Sequence, residues 1–174
     1  MATAQQTPSP EFAIQYRDMM LQGLAKEMQT TRKVIAAIPD EQRDYRPDPK
    51  ARTAWDLAWH IASVDVQFLK EITEGCFHME PRYKDEPKTV AEMVSWYDKN
   101  FTSAIEEARA MNAEQLLRIL DFYGVFKLPA FAYFGLVNNH SIHHRGELAT
   151  YLRPMGSKVP SIYGSSADEE WKAA

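Results

Sequence analysis

The sequence predicts an all-α protein, a four-helix bundle, on three observations. Four separate stretches repeat apolar residues at three- and four-residue steps, the spacing of one helix face. Strict alternation of apolar and polar residues, the mark of a half-buried strand, is almost absent. Capping residues, prolines and glycines punctuate the gaps between the periodic stretches. The 174 residues suit one domain with a real core, and no internal repeat or low-complexity run divides them.

Residues 1–10 are polar, carry Pro8 and Pro10, and lack the basic start and apolar centre of a signal peptide, so they read as a flexible tail. The bundle is expected over residues 11–164. Its first helix shows Phe12, Tyr16, Met19, Met20, Leu24, Met28, Ile35 and Ile38 on one face, and Pro39 with the Arg46-Pro47-Asp48-Pro49 stretch stops it. The second begins at Thr53, whose hydroxyl can cap the first turn, with Asp56 three residues on. Leu57, Ile61, Val64, Phe68 and Ile72 form its apolar face, and Gly75 is its stop. Residues 78–88 hold Pro81 and Pro87 among charges and read as loop. That makes the connection between the second and third helices long enough to cross the bundle.

Thr89 repeats the capping device with Glu92. Met93, Val94, Tyr97, Phe101, Ala104, Ile105 and Ala108 then make the third stripe. Residues 112–120 extend it as a short helical piece leading into a loop around Gly124. The fourth helix starts near Pro129, a favoured first-turn residue, and runs to about Arg153, where Pro154 and Gly156 end it. Residues 165–174 are a C-terminal tail in which Trp171 favours packing, on a partner subunit or on the chain itself, over full solvation.

Composition excludes several function classes. A net charge of −4 and a pI near 5.7 are the wrong sign for a nucleic-acid binder. No run approaches the roughly 18 apolar residues of a membrane span. The greasiest stretch, Leu128 to Val137, contains Pro129 and reads as a core helix. A single cysteine, Cys76, cannot form an intramolecular disulfide, which points to a reducing, cytoplasmic setting. Cys76 itself reads as a core or loop residue rather than a nucleophile. No Ser-His-Asp or Cys-His arrangement and no phosphate-cradling glycine loop is apparent.

The histidines carry the chemistry. Three of the five lie in His140-Ser141-Ile142-His143-His144. At about 100° per residue, His140 and His144 fall about 40° apart, one turn above the other, and can converge on one metal ion at about 2.0–2.1 Å. His60 lies amid Trp55, Leu57, Trp59, Ile61 and Val64, where an imidazole without a partner is costly. Three buried histidines from two helices fit one site, while a core histidine bonded to a carbonyl or carboxylate is the plainer reading of His60. Spacing alone leaves His143 as an alternative partner for His140. The His140 face continues through Tyr133, Leu136, Glu147 and Tyr151. Glu147 is thus a candidate fourth ligand, general base or support for His144, or simply an acid paired with Arg145, Arg153 or solvent. Asp56 and Gln67 flank His60 along its helix and are placed to border the cavity.

The stretch Asn138-Asn139-His140-Ser141-Ile142-His143-His144-Arg145-Gly146-Glu147-Leu148, continuing through Tyr151-Leu152-Arg153-Pro154-Met155-Gly156 to Val159-Pro160-Ser161-Ile162-Tyr163-Gly164, resembles the last helix and tail of the DinB/YfiT-like family. Thr53-Ala54-Trp55-Asp56-Leu57-Ala58-Trp59-His60-Ile61 resembles that family's second-helix segment, a cap followed by a metal-binding histidine. The resemblance implies a four-helix bundle, a divalent metal held by His60, His140 and His144, and a homodimer. Similar proteins include thiol-dependent S-transferases, a maleylpyruvate isomerase and metal-dependent hydrolases. The family commonly has glutamine where this chain has Glu147, which adds an anionic donor and loosens the tie to any one member's reaction.

Three neutral imidazoles leave coordination positions open, as in catalytic zinc sites, and nickel also suits nitrogen ligands. The first expectation is therefore a metal-dependent enzyme, a hydrolase or a thiol S-transferase, acting on a small molecule with Glu147 as the catalytic group. Trp55, Trp59, Tyr133, Phe134 and Tyr151 are candidates to wall its pocket. The second is a non-catalytic, stress-related metal-binding dimer, fully coordinated and without a pocket. The third is a helical bundle with no metal.

Overall fold

A computed structural model of the chain describes residues 8–171. The elements in order are α1 (Pro10–Ala36), α2 (Ala54–Glu74), α3 (Val90–Arg109), α4 (Ala113–Leu117), β1 (Ile119–Phe122), β2 (Phe126–Pro129) and α5 (Tyr133–Leu152), with short 3-10 turns at Asp40–Gln42 and Ala130–Ala132. The expected flexible segment falls mostly on residues 1–7, outside the described residues. Its end is already structured, because Ser9 caps α1 through a bond from Phe12 N (3.2 Å) and Pro10 takes the first helical position.

The other termini follow the chemistry of their residues. Thr53 Oγ1 accepts from Asp56 N (3.0 Å), and Thr89 Oγ1 accepts from Glu92 N (3.2 Å). Gly75 ends α2 in the left-handed region, at φ 87°, where a β-carbon would be strained. Not every apolar residue of the predicted α1 face is inside. Phe12 and Met19 are 49% and 60% exposed, while Leu21, Leu24, Val34 and Ile35 are buried.

Four long helices form a ring in the order α1, α3, α2, α5, so α1 stands diagonally from α2. Contacts fix their directions. Arg32 meets Asp98 (2.6 Å) and Arg17 reaches the Met111 carbonyl, so α1 and α3 are antiparallel. Trp59 packs on Trp96 (4.8 Å between rings) and Lys70 pairs with Glu107, so α2 and α3 run parallel. Parallel neighbours need a connection as long as the helix itself, and residues 75–89 supply it. This is the predicted crossover. It is braced by Gln67, whose amide donates to the His78 and Glu80 carbonyls (3.3 and 3.2 Å) and accepts from Arg82 N (3.0 Å). Trp55 Nε1 donates to Glu86 further along (3.0 Å).

Two features depart from the expectation. Between α4 and α5 the chain forms an antiparallel hairpin, with Ile119 opposite Pro129 and Phe122 opposite Phe126. Tyr123 and Gly124 turn it with positive φ at both positions, and Asp121 Oδ1 accepts from Gly124 N (2.7 Å). Strands of four residues are too short to show a period. The hairpin also displaces the start of the last helix from Pro129 to Tyr133, whose hydroxyl donates to the Leu120 carbonyl (2.8 Å) and accepts from Leu128 N (3.2 Å).

A second buried network ties α1 to α5. Arg145, 1% exposed, pairs with Glu27 (2.6 Å) and donates to Thr31 Oγ1 (3.1 Å). It also donates to the Tyr163 hydroxyl, which in turn donates to Glu27 (2.7 Å). The segment after α5 therefore closes back onto α1, and residues 165–171 continue along the surface through Asp168 to Arg153 (3.0 Å) and Glu169 to Ser161 N (2.7 Å). Trp171 is 59% exposed.

Two measurements test this account. Arg145→Ala leaves Glu27 without its partner, and should lower the unfolding free energy in urea by about 3 kcal/mol. Burial raises the Glu71 carboxyl pKa above the ordinary 4.5. The stability this proton confers is present below that value and is lost as pH rises through the folded pKa. Wild type should therefore lose stability relative to Glu71→Gln as pH is raised from 4 to 7, as read by thermal melts.

Candidate metal centre

The three histidines singled out in the sequence come together. α2 and α5 are antiparallel neighbours, so His60 in the second turn of α2 faces the middle of α5, where His140 and His144 lie one turn apart. One nitrogen from each lies within 4.8 Å of the others. His60 Nε2 and His140 Nε2 are 3.1 Å apart, and the ring centroids of the trio are separated by 4.7–5.0 Å. Two imidazoles on one tetrahedral ion place their nitrogens about 3.3 Å apart, given bond lengths of about 2.0–2.1 Å. The His60–His140 pair fits that geometry, and His144 offers a nitrogen within 4.8 Å of both.

Two of the rings are backed by carboxylates. Asp65, completely buried in α2, approaches His140 Nδ1 through Oδ1 at 2.7 Å. Its Oδ2 accepts from the hydroxyl of Tyr97 in α3 (3.2 Å). A carboxylate there accepts a hydrogen bond from Nδ1–H and turns the Nε2 lone pair of His140 toward His60. Glu147 holds the other ring, with Oε2 3.2 Å from His144 Nδ1 and Oε1 accepting from Tyr151 OH (3.1 Å). Both Glu147 oxygens are engaged in this way, whereas Arg145 and Arg153 pair elsewhere, with Glu27 and Asp168.

Electrostatics favour the neutral form of two of the rings. Burial first, then the Arg52 charge and the neighbouring imidazoles, push the His60 pKa from 6.5 down to about 3. Burial also lowers that of His144, against the opposing pull of Glu147. Tyr151 is pushed up to about 12 by burial and by its bond to Glu147, so it stays a hydroxyl. Neutral imidazoles are the form that binds metal.

A cavity of about 550 Å³ adjoins His60, between α2 and the crossover, with Arg52, Trp59, Ser63, Tyr83 and Lys84 among its lining residues. Of the aromatic residues expected to wall a pocket, Trp59 does so. Trp55 holds the crossover, Tyr133 holds the hairpin, Phe134 is core and Tyr151 braces Glu147. Asp56 lines the same cavity, but Gln67 is spent on the crossover. His143 is exposed, and its group with His144 and Glu147 is a more exposed alternative to the half-buried trio.

Sequence reasoning missed Asp65 and Tyr97. An acid between Val64 and Val66 in an apolar helix was a signal, since such a group persists in a core only with partners. It also missed a thiol–imidazole contact, because Cys76 Sγ lies 3.2 Å from His78 Nε2 in the turn after α2.

Comparison with known proteins agrees with this architecture. The chain is 29% identical over 135 residues to the uncharacterized protein YjoA of Bacillus subtilis (strain 168), covering 76% of this chain and 86% of that one. It is 23% identical over 155 residues to the uncharacterized YrdA of the same organism, covering 88% and 91%. The crystal structure of a DinB-like protein from Bacillus cereus ATCC 10987 superposes with a TM-score of 0.70 at 26% identity, over 83% of this chain and 95% of that one. That of YjoA superposes at 0.67 and 24% identity, over 82% and 96%, which bears on the fold alone. The DinB family profile matches residues 14–173, and the chain belongs to the DinB family.

Proposed function

We propose that His60, His140 and His144 hold a divalent metal ion, zinc or nickel, and that the protein is a metal-dependent enzyme acting on a small molecule. The convergence of three imidazole nitrogens within 4.8 Å, beside a cavity, is the observation that carries this reading. Without an ion, the His60 and His140 Nε2 atoms, 3.1 Å apart, are at hydrogen-bond distance, one donating and the other accepting, and metal binding replaces that bond. A divalent ion bound by three histidines supplies Lewis acidity at its open positions and lowers the pKa of a bound water or thiol, the chemistry of a hydrolase or a thiol S-transferase.

The remaining groups have roles that follow from their contacts. Asp65 fixes the tautomer of His140, and Tyr97 holds Asp65 in place. Glu147 orients His144, and its bond to Tyr151 steadies the carboxylate. We assign Glu147 the catalytic proton only in concert with Tyr151, because both oxygens are already engaged in the resting arrangement. The cavity beside His60 receives the substrate, with Trp59 and Tyr83 offering apolar walls and Arg52 and Lys84 offering positive charge. An open cavity favours an enzyme over a fully coordinated metal store. The parallel proposal for assembly is a homodimer in the cytoplasm, to be read from light scattering of the purified chain.

Elemental analysis of untagged protein should find near-stoichiometric zinc or nickel in wild type and almost none in His144→Ala. Wild type that arrives metal-free and cannot be reloaded would sink the reading. Asp65→Asn should keep the three ligands yet weaken metal affinity by about 10–100-fold in competition with a chromogenic chelator. An unchanged affinity would make Asp65 a purely structural acid. Metal-loaded protein that passes both tests is then the material for screening hydrolysis and thiol transfer.

A further inference from the structure

The loop that leads into α2 carries a cation to the edge of the histidine trio. Arg52 stands just before the Thr53 cap and is exposed. The chain on either side of it is fixed. Ala51 N donates to the Asp48 carbonyl (2.9 Å), Ala54 N donates to the Tyr45 carbonyl (2.8 Å), and Thr53 Oγ1 accepts from Asp56 N (3.0 Å). Tyr45 in turn packs edge-on against Tyr151 of α5, with ring centroids 5.9 Å apart. The loop is therefore docked on α5 at the residue that steadies Glu147.

Arg52 lines the cavity of about 550 Å³ together with His60. Its charge reaches both helices of the centre. After burial it is the largest cause of the low His60 pKa, and it opposes the rise that burial and Glu147 impose on Tyr151. Arg32, Arg82, Arg145 and Arg153 are each held by a carboxylate. Among the described residues, none comes within 4.0 Å of the Arg52 nitrogens. The acids nearest in the fold have other work: Glu86 Oε2 accepts from Trp55 Nε1 (3.0 Å), and Glu147 is taken by His144 and Tyr151. A planar guanidinium with its donors free, at the wall of a cavity, matches the two oxygens of a carboxylate.

We propose that Arg52 is a specificity-determining residue that receives a carboxylate of the substrate, so that the centre acts on small organic acids carrying that carboxylate near the group offered to the metal. This inference rests on the three-histidine metal reading above. The charge of the cavity selects a monoanion over a phosphate or a polyanion. Asp56, Glu80 and Glu86 line it against Arg52 and Lys84 alone, so one anionic group finds a partner while further negative charge is repelled. Trp59 and Tyr83 supply apolar wall for the rest of the molecule.

The test uses the full chain, stripped of metal and reloaded with cobalt(II), whose visible absorption reports a ligand entering at the metal. Propionohydroxamate and the monohydroxamate of succinic acid are the probes, alike in the metal-binding group and different by one carboxylate. Wild type should bind the succinic probe about tenfold more tightly. Arg52→Gln should take up the same amount of cobalt and bind the two probes equally. Lys84→Gln, which removes a cation of the same cavity, should keep the preference. Equal affinities in wild type, a preference that survives in Arg52→Gln, or an equal loss in Lys84→Gln would each overturn the proposal and leave the metal centre standing. Wild type that takes up no cobalt would instead overturn the metal reading, and this inference with it.

Discussion

A single buried carboxylate organises the interior of this bundle. Asp65 stands in α2 with no exposure to solvent, and its two oxygens reach α5 through His140 and α3 through Tyr97. An acid in that position is costly unless each lone pair is answered. The need to answer them locks three helices at one level and fixes the rotation of α2 about its axis. That rotation also lets His60, five residues earlier on α2 and about 140° round it, meet His140 and His144. Tyr97 is fully buried for the same reason, and burial beside Asp65 holds its hydroxyl well above the usual phenol pKa.

The parallel run of α2 and α3 has consequences beyond topology. It obliges residues 75–89 to travel the length of the bundle, and they do so across the α2 surface next to His60. The crossover therefore roofs the cavity beside the histidine trio at Pro81, Tyr83 and Lys84, and also shapes the turn that presents Cys76 and His78. Gln67 braces both regions, because its amide reaches the His78 and Glu80 carbonyls on one strand of chain. A buried glutamine in an apolar helix thus serves the loop and not the histidines.

Two polar networks, Asp65–His140–Tyr97 and Arg145–Glu27–Thr31–Tyr163, sit on different faces of α5. His144 and Arg145 are consecutive, yet one faces α2 and the other faces α1, as about 100° of rotation per residue requires. The arrangement explains why Glu147 turns to His144 and Tyr151 while the adjacent arginine is consumed by Glu27. No helix among the described residues is long and apolar enough to cross a membrane.

The sequence by itself determined the helical class, the four long elements, most of their ends and the three histidines that meet. Those properties are local. Periodicity, Thr53 and Thr89 as caps, Gly75 as a left-handed stop and the four-residue spacing of His140 and His144 need no knowledge of distant residues. Tertiary structure decided what depends on partners far along the chain. Asp65 meets His140 across 75 positions and Arg145 meets Glu27 across 118, and no spacing rule reaches that far. The hairpin was hidden because four-residue strands carry too little period to distinguish them from loop. Cys76 and His78 lie two residues apart, but only the folded turn after α2 brings Sγ within 3.2 Å of Nε2. Local rules set the elements, and the partners that buried groups such as Asp65 and Arg145 require set how they face one another.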